Sequence, residues 1–455
     1  MKILKSFLLF LTVFALSSIS LRVYAAPATL YVDPSGTIDD SCGPADKPCK
    51  KILFAYVHAN NGDTIQVAPG TYNENLNFWP VKNITLIGSG TTGANKTVVN
   101  GGGTGRVLYV FKDDKPTVKN IVLTNGHPAV NDIGGGGGGI YNNGTLTLQD
   151  CVVTENSVAG EENGGGIYNN AESPNVGVLN IQNCTISQNS SESDGAGLFN
   201  NGGQVSITSS TFSENHATAN NSYGGAIFSK NGTFNIASST LANNSAAISG
   251  GAINRWGNAI FNLHDTLVAN NEPMNCNDKL SSKGYYNLDS GKTCGFDPTK
   301  GDLVETDPKL ADLADNGGPS PTQALPAGSP AIDKGDPNSC TDLQSQDIKY
   351  DQRGNAFNRK EDGDADGVAR CDIGAFEYKV ASAGTPGEGN VGGSSSSGNG
   401  NPKSAVPEGA AGGGNKGFMS GAGCSLMAGQ IPTADFSWIL MAGLLGLSRR
   451  LFRRF

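Results

Sequence analysis

Charged side chains make up only 16% of the 455 residues, against about 25% in an ordinary soluble domain. Runs of Ala, Leu, Glu and Lys at helical spacing are missing from the middle of the chain, where Asn, Gly, Ser and Thr dominate. That excludes long amphipathic helix bundles. Basic residues are scarcer still away from the ends. Removing Lys2, Lys5, Arg22, Arg449, Arg450, Arg453 and Arg454 leaves 25 basic against 41 acidic residues, a net charge of −16. A nucleic-acid partner requires clustered Lys and Arg to neutralise phosphates, so none is expected. The four histidines, His58, His127, His216 and His264, stand in no nucleophile or metal motif, and no cysteine spacing reads as a zinc site.

The chain is rich in glycine, with 63 residues. At its start, Lys2 and Lys5 precede an apolar run from Phe7 to Leu16 and the small-residue site Val23-Tyr24-Ala25. This predicts a secretory signal peptide over 1–25, because the apolar run is too short to span the ~30 Å of a bilayer core. Nine cysteines fit an exported protein, in which disulfides persist. By proximity the expected pairs are Cys42 with Cys49, Cys276 with Cys294, and Cys340 with Cys371. Residues 381–423 are Gly, Ser, Asn and Pro with few apolar side chains, the composition of a disordered tether. Residues 424–455 hold Cys424, an apolar stretch from Phe436 to Leu447 and the arginine cluster. A plain C-terminal anchor is one reading. The three-part tail also resembles bacterial C-terminal sorting signals, which implies membrane contact, recognition by a processing enzyme, and Cys424 at the processing or lipid-attachment point.

An internal repeat sets the fold class. One element recurs as Gly138-Gly139-Ile140-Tyr141, Gly165-Gly166-Ile167-Tyr168, Ala196-Gly197-Leu198-Phe199, Gly225-Ala226-Ile227-Phe228 and Gly251-Ala252-Ile253-Asn254. A second is a six-residue unit ending in Asn, from Cys151 to Asn156 and then at Asn189, Asn215, Asn244 and Asn270. Within each unit the residues alternate, as in Leu146-Thr147-Leu148 and Val205-Ser206-Ile207, which marks short strands. Short strands recurring at such a period stack on their own copies one coil away. The prediction is an all-β parallel β-helix of about seven coils, ~35 Å long at the ~4.8 Å inter-strand spacing. Val153, Ile186, Phe212, Leu241 and Leu267 are expected to point inward, with Asn156, Asn189, Asn215, Asn244 and Asn270 left-handed at the corners and bonded to one another between coils.

These pairs, above all Phe212-Ser213-Glu214-Asn215 and Gly224-Gly225-Ala226-Ile227, resemble the polymorphic outer-membrane-protein repeat, which is similar to the pectin-lyase-like right-handed β-helix. The resemblance covers about 140 residues and implies a right-handed solenoid at the cell surface and a role in adhesion. The segment from Leu30 to Gly88 looks like the N-terminal cap and first coil of such proteins, so the β-helix with its cap is set at 26–275. The stretches Ser329 to Asp336, Asp351-Gln352-Arg353-Gly354 and Asp372 to Glu377 resemble the extension found in choice-of-anchor proteins, which assigns 276–380 to a separate C-terminal module.

Candidate chemistry is sparse. Residues 134–275 carry ten acidic side chains and only two basic ones, Lys230 and Arg255. Glu155, Glu214, Arg255 and Asp265 are the weak candidates for a lyase or hydrolase of this fold. Glu155 and Glu214 stand about two coil spacings, ~9.6 Å, apart, too far for a retaining glycosidase. Tyr141, Tyr168, Phe199 and Phe228 follow the inward aliphatic residues and should face outward in a row, followed by Asn142, Asn169 and Asn200. Either this row binds sugar rings, or the rings pack on one another or under a loop such as 155–163. Asp362, Asp364 and Asp366, with Asp372 downstream, have the alternating carboxylates of a calcium loop, although Ile373 occupies the twelfth position where an EF-hand needs an acid. Cys151 and Cys184 share one inward column, as a disulfide or as buried thiols. The leading expectation is an exported, surface-displayed β-helix protein that binds polysaccharide or another surface. The alternatives are a secreted polysaccharide lyase or glycoside hydrolase, and an envelope spacer.

Overall fold

Alternation of buried and exposed residues, as in Thr145–Gln149 where Leu146 and Leu148 point inward, builds a parallel β-helix with three faces. The computed structural model describes residues 26–380, apart from 81, 131, 133, 172–176 and 281–283. Among them the first face is a nine-stranded sheet, the second a ten-stranded sheet and the third a seven-stranded sheet, all parallel. Each strand pairs with its copies in the neighbouring coils, and the shortest face sets seven complete turns. The proposed signal peptide (1–25), tether (381–423) and sorting segment with Cys424 lie outside the described residues.

The core is a stack of columns. Ile140, Ile167, Leu198, Ile227 and Ile253 line it from the third face, and Val153, Ile186, Phe212 and Leu241 from the second, all fully buried. At its last member the second column differs from the expectation. Val268 pairs with Leu241 and points inward, whereas Leu267 pairs with Thr240 and points outward. The asparagine rungs shift in the same way. Asn156, Asn189, Asn215, Asn244, Asn271 and Asn275 form a buried ladder, each amide donating to the next Oδ1 at 2.8–3.1 Å. The left-handed residues are those just before the rungs, Glu155, Gln188, Glu214, Asn243 and Asn270. A rung must aim its amide along the axis, so its neighbour makes the turn; Asn270 is therefore a corner and not a rung.

Open ends of the solenoid are unpaired edges that need cover. At the first end, the strand Thr29–Thr37 pairs with Thr64–Val67, and the α-helix Ile52–His58 lays Ile52, Ala55 and Tyr56 over the core. Tyr56 stacks on Phe78 with ring centroids 4.5 Å apart. The helix has no side-chain cap of its own; Glu74, from a neighbouring coil, accepts from the amides of Ile52 and Leu53 at 2.8 and 3.0 Å.

Residue 275 is not a structural boundary. Leu288–Asp289 and Leu303–Val304 continue the second sheet beyond it. The rest of the extension then turns back along the outer side of that sheet, and all described residues belong to one compact unit. Outward Leu267 and Leu288 are buried there with Leu325, Ala331, Ile332, Ile373 and Phe376. The disulfides are Cys42–Cys49, Cys276–Cys294 and Cys340–Cys371, the three pairs read from spacing. Cys151 and Cys184 are buried free thiols.

Candidate functional site

The first sheet turns its polar columns outward. Thr147, Asn180, Ser206 and Asn235 occupy one column, and Gln182 and Thr208 the next but one. Their spacing is that of adjacent parallel strands, so hydroxyls and amides repeat along the face at ~4.8 Å. Opposite them stands the extension segment from Asp342 to Asn355. Asp342 organises its turn by accepting from the amides of Gln344 and Gln346 at 2.9 and 2.8 Å, and Cys340 just before it is tied to Cys371. Sheet and segment enclose a cleft of about 760 Å³, whose far wall carries Asp342, Gln344, Gln346, Asp347, Lys349 and Tyr350. Tyr350 is 38% exposed. The volume lies in the range of ligand sites, and the lining is dense in hydrogen-bonding groups.

The aromatic row on the third face is different from a binding platform. Tyr109, Tyr141, Tyr168, Phe199 and Phe228 stack in sequence with centroids 5.0–5.1 Å apart, so the ring faces cover one another. Tyr141, Phe199 and Phe228 are buried and Tyr168 half-buried. Glycines 134–137 lie over Tyr141 and Tyr168. A Cβ at Gly134 would lie 2.8 Å from the Tyr141 ring, and one at Gly136 2.1 Å from the carbonyl of Asn163, both at positive φ. Asn142, Asn169 and Asn200 are fully buried and form a second ladder, with Asn142 donating to Asn169 at 2.7 Å and Asn169 to Asn200 at 2.8 Å. Their amides are bonded to one another and to the carbonyls of Val178, Gly177 and Gly203, and offer nothing to a ligand.

The four candidate catalytic residues do not converge. Glu155 and Glu214 sit at left-handed corners with Gln188 between them, and Gln188 donates to Glu214 at 2.9 Å. Arg255, on the third face, donates to the carbonyl of Ala259 at 2.9 Å and pairs with Asp278 at 3.4 Å. Asp265 is completely buried at the corner between first and second faces, where Oδ1 accepts from the amide of Asp336 at 2.8 Å. His264 Nε2 lies 3.7 Å from Asp265 and 3.8 Å from Asp336. Burial pushes the Asp265 carboxyl up to about 6, against the opposing pull of His264 and Arg359.

Of the expected calcium ligands, Asp362 and Asp364 converge, but their third partner is Asp333, with carboxylate oxygens all within 4.8 Å. Lys334 Nζ approaches Asp364 at 3.3 Å. Asp366 pairs instead with Arg370 at 3.0 Å. Asp372 turns into the core, accepts from the amides of Asp333 and Tyr378, and is pushed up to about 7 by burial. Its neighbour Ile373 is fully buried, which drags the backbone inward and takes this carboxylate away from the loop. Asp333 and the cleft wall were missed from sequence because each meets its partners only when the extension folds back.

No protein family and no curated protein matches the chain. Among solved structures, pectate lyase Pel9A is similar with a TM-score of 0.40 at 15% identity, over 78% of this chain and 98% of that chain.

Proposed function

We propose that the chain is an exported, surface-displayed β-helix protein that binds a neutral polysaccharide in the cleft between its first face and its extension. The observation that carries this reading is the cleft itself, with repeating hydroxyl and amide columns on one wall and Tyr350 on the other. Such groups match the hydroxyls of a sugar chain, and the aromatic ring supplies apolar contact. Charge argues against a polyanion, since Asp342 and Asp347 face Lys349 alone in the cleft and the whole chain carries −9. Export and contact with a membrane or a processing enzyme at Cys424 rest on the sequence of residues 1–25 and 424–455. A calcium ion held by Asp333, Asp362 and Asp364 belongs to the same reading as a loop-stiffening ion.

The second reading is a polysaccharide lyase or hydrolase working in the same cleft. It is favoured by Asp342, Asp347 and Lys349, which put carboxylates and an amine on one wall. A polysaccharide array with the purified chain, with and without calcium, separates the two. The binder retains a neutral polysaccharide and releases no new reducing ends or unsaturated products, and Asn180→Ala with Asn235→Ala lowers affinity about tenfold or more. Products on any polysaccharide overturn the binder in favour of the enzyme. Retention that is indifferent to those substitutions removes the cleft from the reading.

A further inference from the structure

The aromatic stack of the third face ends abruptly. In the coil after Phe228 the paired position is Asn254, whose amide donates to Ser249 Oγ at 3.0 Å. Two residues later Trp256 is anchored by its backbone, donating to the carbonyl of Ser229 at 2.8 Å, and Gly257 at φ +63 turns the chain away. The indole is 59% exposed and packs on no other ring among the described residues. It borders a groove of about 450 Å³ lined also by Phe199, Tyr223, Phe228, Asn221, Lys230 and the carboxylate-bearing Asp194. Lys230 is exposed and forms no ion pair among the described residues. The other basic residue of 134–275, Arg255, is engaged with Asp278.

A large indole left open beside an ammonium that forms no ion pair among the described residues contributes little to the fold. It has the composition of a sugar-binding subsite, a flat apolar face beside an ammonium, an amide and a carboxyl group that can bond to hydroxyls. This groove and the cleft lie on different faces of the same coils, since the cleft uses Asn180, Ser206 and Asn235 and the groove uses Phe199, Phe228 and Trp256. One polysaccharide strand running through the cleft therefore leaves the groove free for another. We infer that Trp256 and Lys230 form a second, independent site for a pyranose ring, and that the chain cross-links polysaccharide strands by holding one on each face. The cross-linking step rests on the polysaccharide-binding reading of the cleft; the Trp256 site does not.

The test uses the full chain with gluco-, manno- and chito-hexaose as soluble probes, and beads coated with whichever parent polysaccharide is retained. At least one hexaose should change the intrinsic tryptophan fluorescence saturably. Trp256→Ala should abolish that change, Lys230→Ala should weaken it at least threefold, and Asn180→Ala with Asn235→Ala should preserve it. The wild-type chain should agglutinate the beads, while the Trp256 variant and the double cleft variant each bind without agglutinating. No fluorescence response to any hexaose, or agglutination by Trp256→Ala, overturns the inference. If bead binding disappears wholly in Trp256→Ala and is untouched in the cleft variant, the second site stands and the cleft reading fails. Circular dichroism of each variant identifies loss of fold.

Discussion

Thr211 on the second face donates its hydroxyl hydrogen to Gln352 Oε1 across 2.6 Å, although 141 residues separate them. Gln352 is completely buried, and its Nε2 is within hydrogen-bonding distance of Thr185 Oγ1 and Ser320 Oγ, each at 2.9 Å. One glutamine thus satisfies hydroxyls from two adjacent coils and from the extension. Replacing it by Ala leaves the buried Thr211 hydroxyl without its acceptor, while Thr185 and Ser320 keep their bonds to the carbonyls of Pro321 and Asn183 and lose only a donor. Gln352→Ala should cost roughly 1–3 kcal/mol, because the orphaned Thr211 hydroxyl retains its desolvation penalty. Hydrogen exchange should show the extension from 320 to 378 opening before the coils do. Equal protection of extension and coils in the variant would show that the docking does not depend on this residue.

Asn215 tests the ladder. It accepts from the amide and the side chain of Asn189 at 3.2 and 2.9 Å, and donates to the carbonyl of Ile186 and to Asn244 Oδ1 at 2.9 and 2.8 Å. Asn215→Ala should destabilise by about 3 kcal/mol or more, with buried donors and acceptors left open on both neighbouring coils. Thermal melts compared with the exposed control Asn220→Ala, expected within ~0.5 kcal/mol of wild type, measure the difference.

Cys184 and Cys151 should be chemically silent and replaceable. Both are fully buried, burial pushes the Cys184 thiol well above its ordinary range, and the next rung in the same column is Ser210, whose hydroxyl accepts from the amide of Cys184 at 3.1 Å. A thiol reagent applied to the native chain should leave both unlabelled. Cys184→Ser should change stability by less than ~1 kcal/mol, since Ser210 already performs the same bonding one coil away. Rapid labelling in the folded state would contradict the packing.

Acid should stabilise this protein where it usually harms. Burial raises the Asp265 carboxyl from 3.8 to about 6, and its Oδ2 has no hydrogen-bond donor. The folded state therefore holds a proton that the unfolded chain has already lost, and stability falls as pH rises from about 4 to about 6. Integrated over that window the loss is ~3 kcal/mol for this group. Asp114 and Asp194, each pushed up to about 6 by burial, act in the same direction. Melting temperatures from pH 4 to 7 should decline, and Asp265→Asn should flatten the decline. A profile unchanged by that substitution would place the dependence elsewhere.

The solenoid was legible because its signals are local and repeated. Inward Ile140, Ile167, Leu198 and Ile227, the recurring Asn rungs and the short-range cysteine pairs all follow from strand alternation, turn chemistry and chain proximity. Legibility failed by one residue at Asp265–Asn271, where Asn270 and Asn271 are adjacent and the sequence does not say which turns and which ladders. For the aromatic row the sequence left two readings open, a sugar platform and rings packed on one another, and the structure has the rings packed on one another. Alternation puts Tyr141 and Phe228 on the outer side, but only coil stacking decides that their faces meet each other and that glycines 134–137 lie over Tyr141 and Tyr168.

The sequence by itself determined which residues point inward and how the coils repeat, because a strand's two faces and a coil's neighbours are set within some thirty residues. Which outward columns remain in contact with water was decided by the tertiary structure. The extension folds back over the second face, buries Leu267 and Thr211, raises the far wall of the cleft and brings Asp333 to Asp362. The contacts of extension with coils join residues distant in the chain, 141 apart for Thr211 and Gln352, and no local periodicity encodes them.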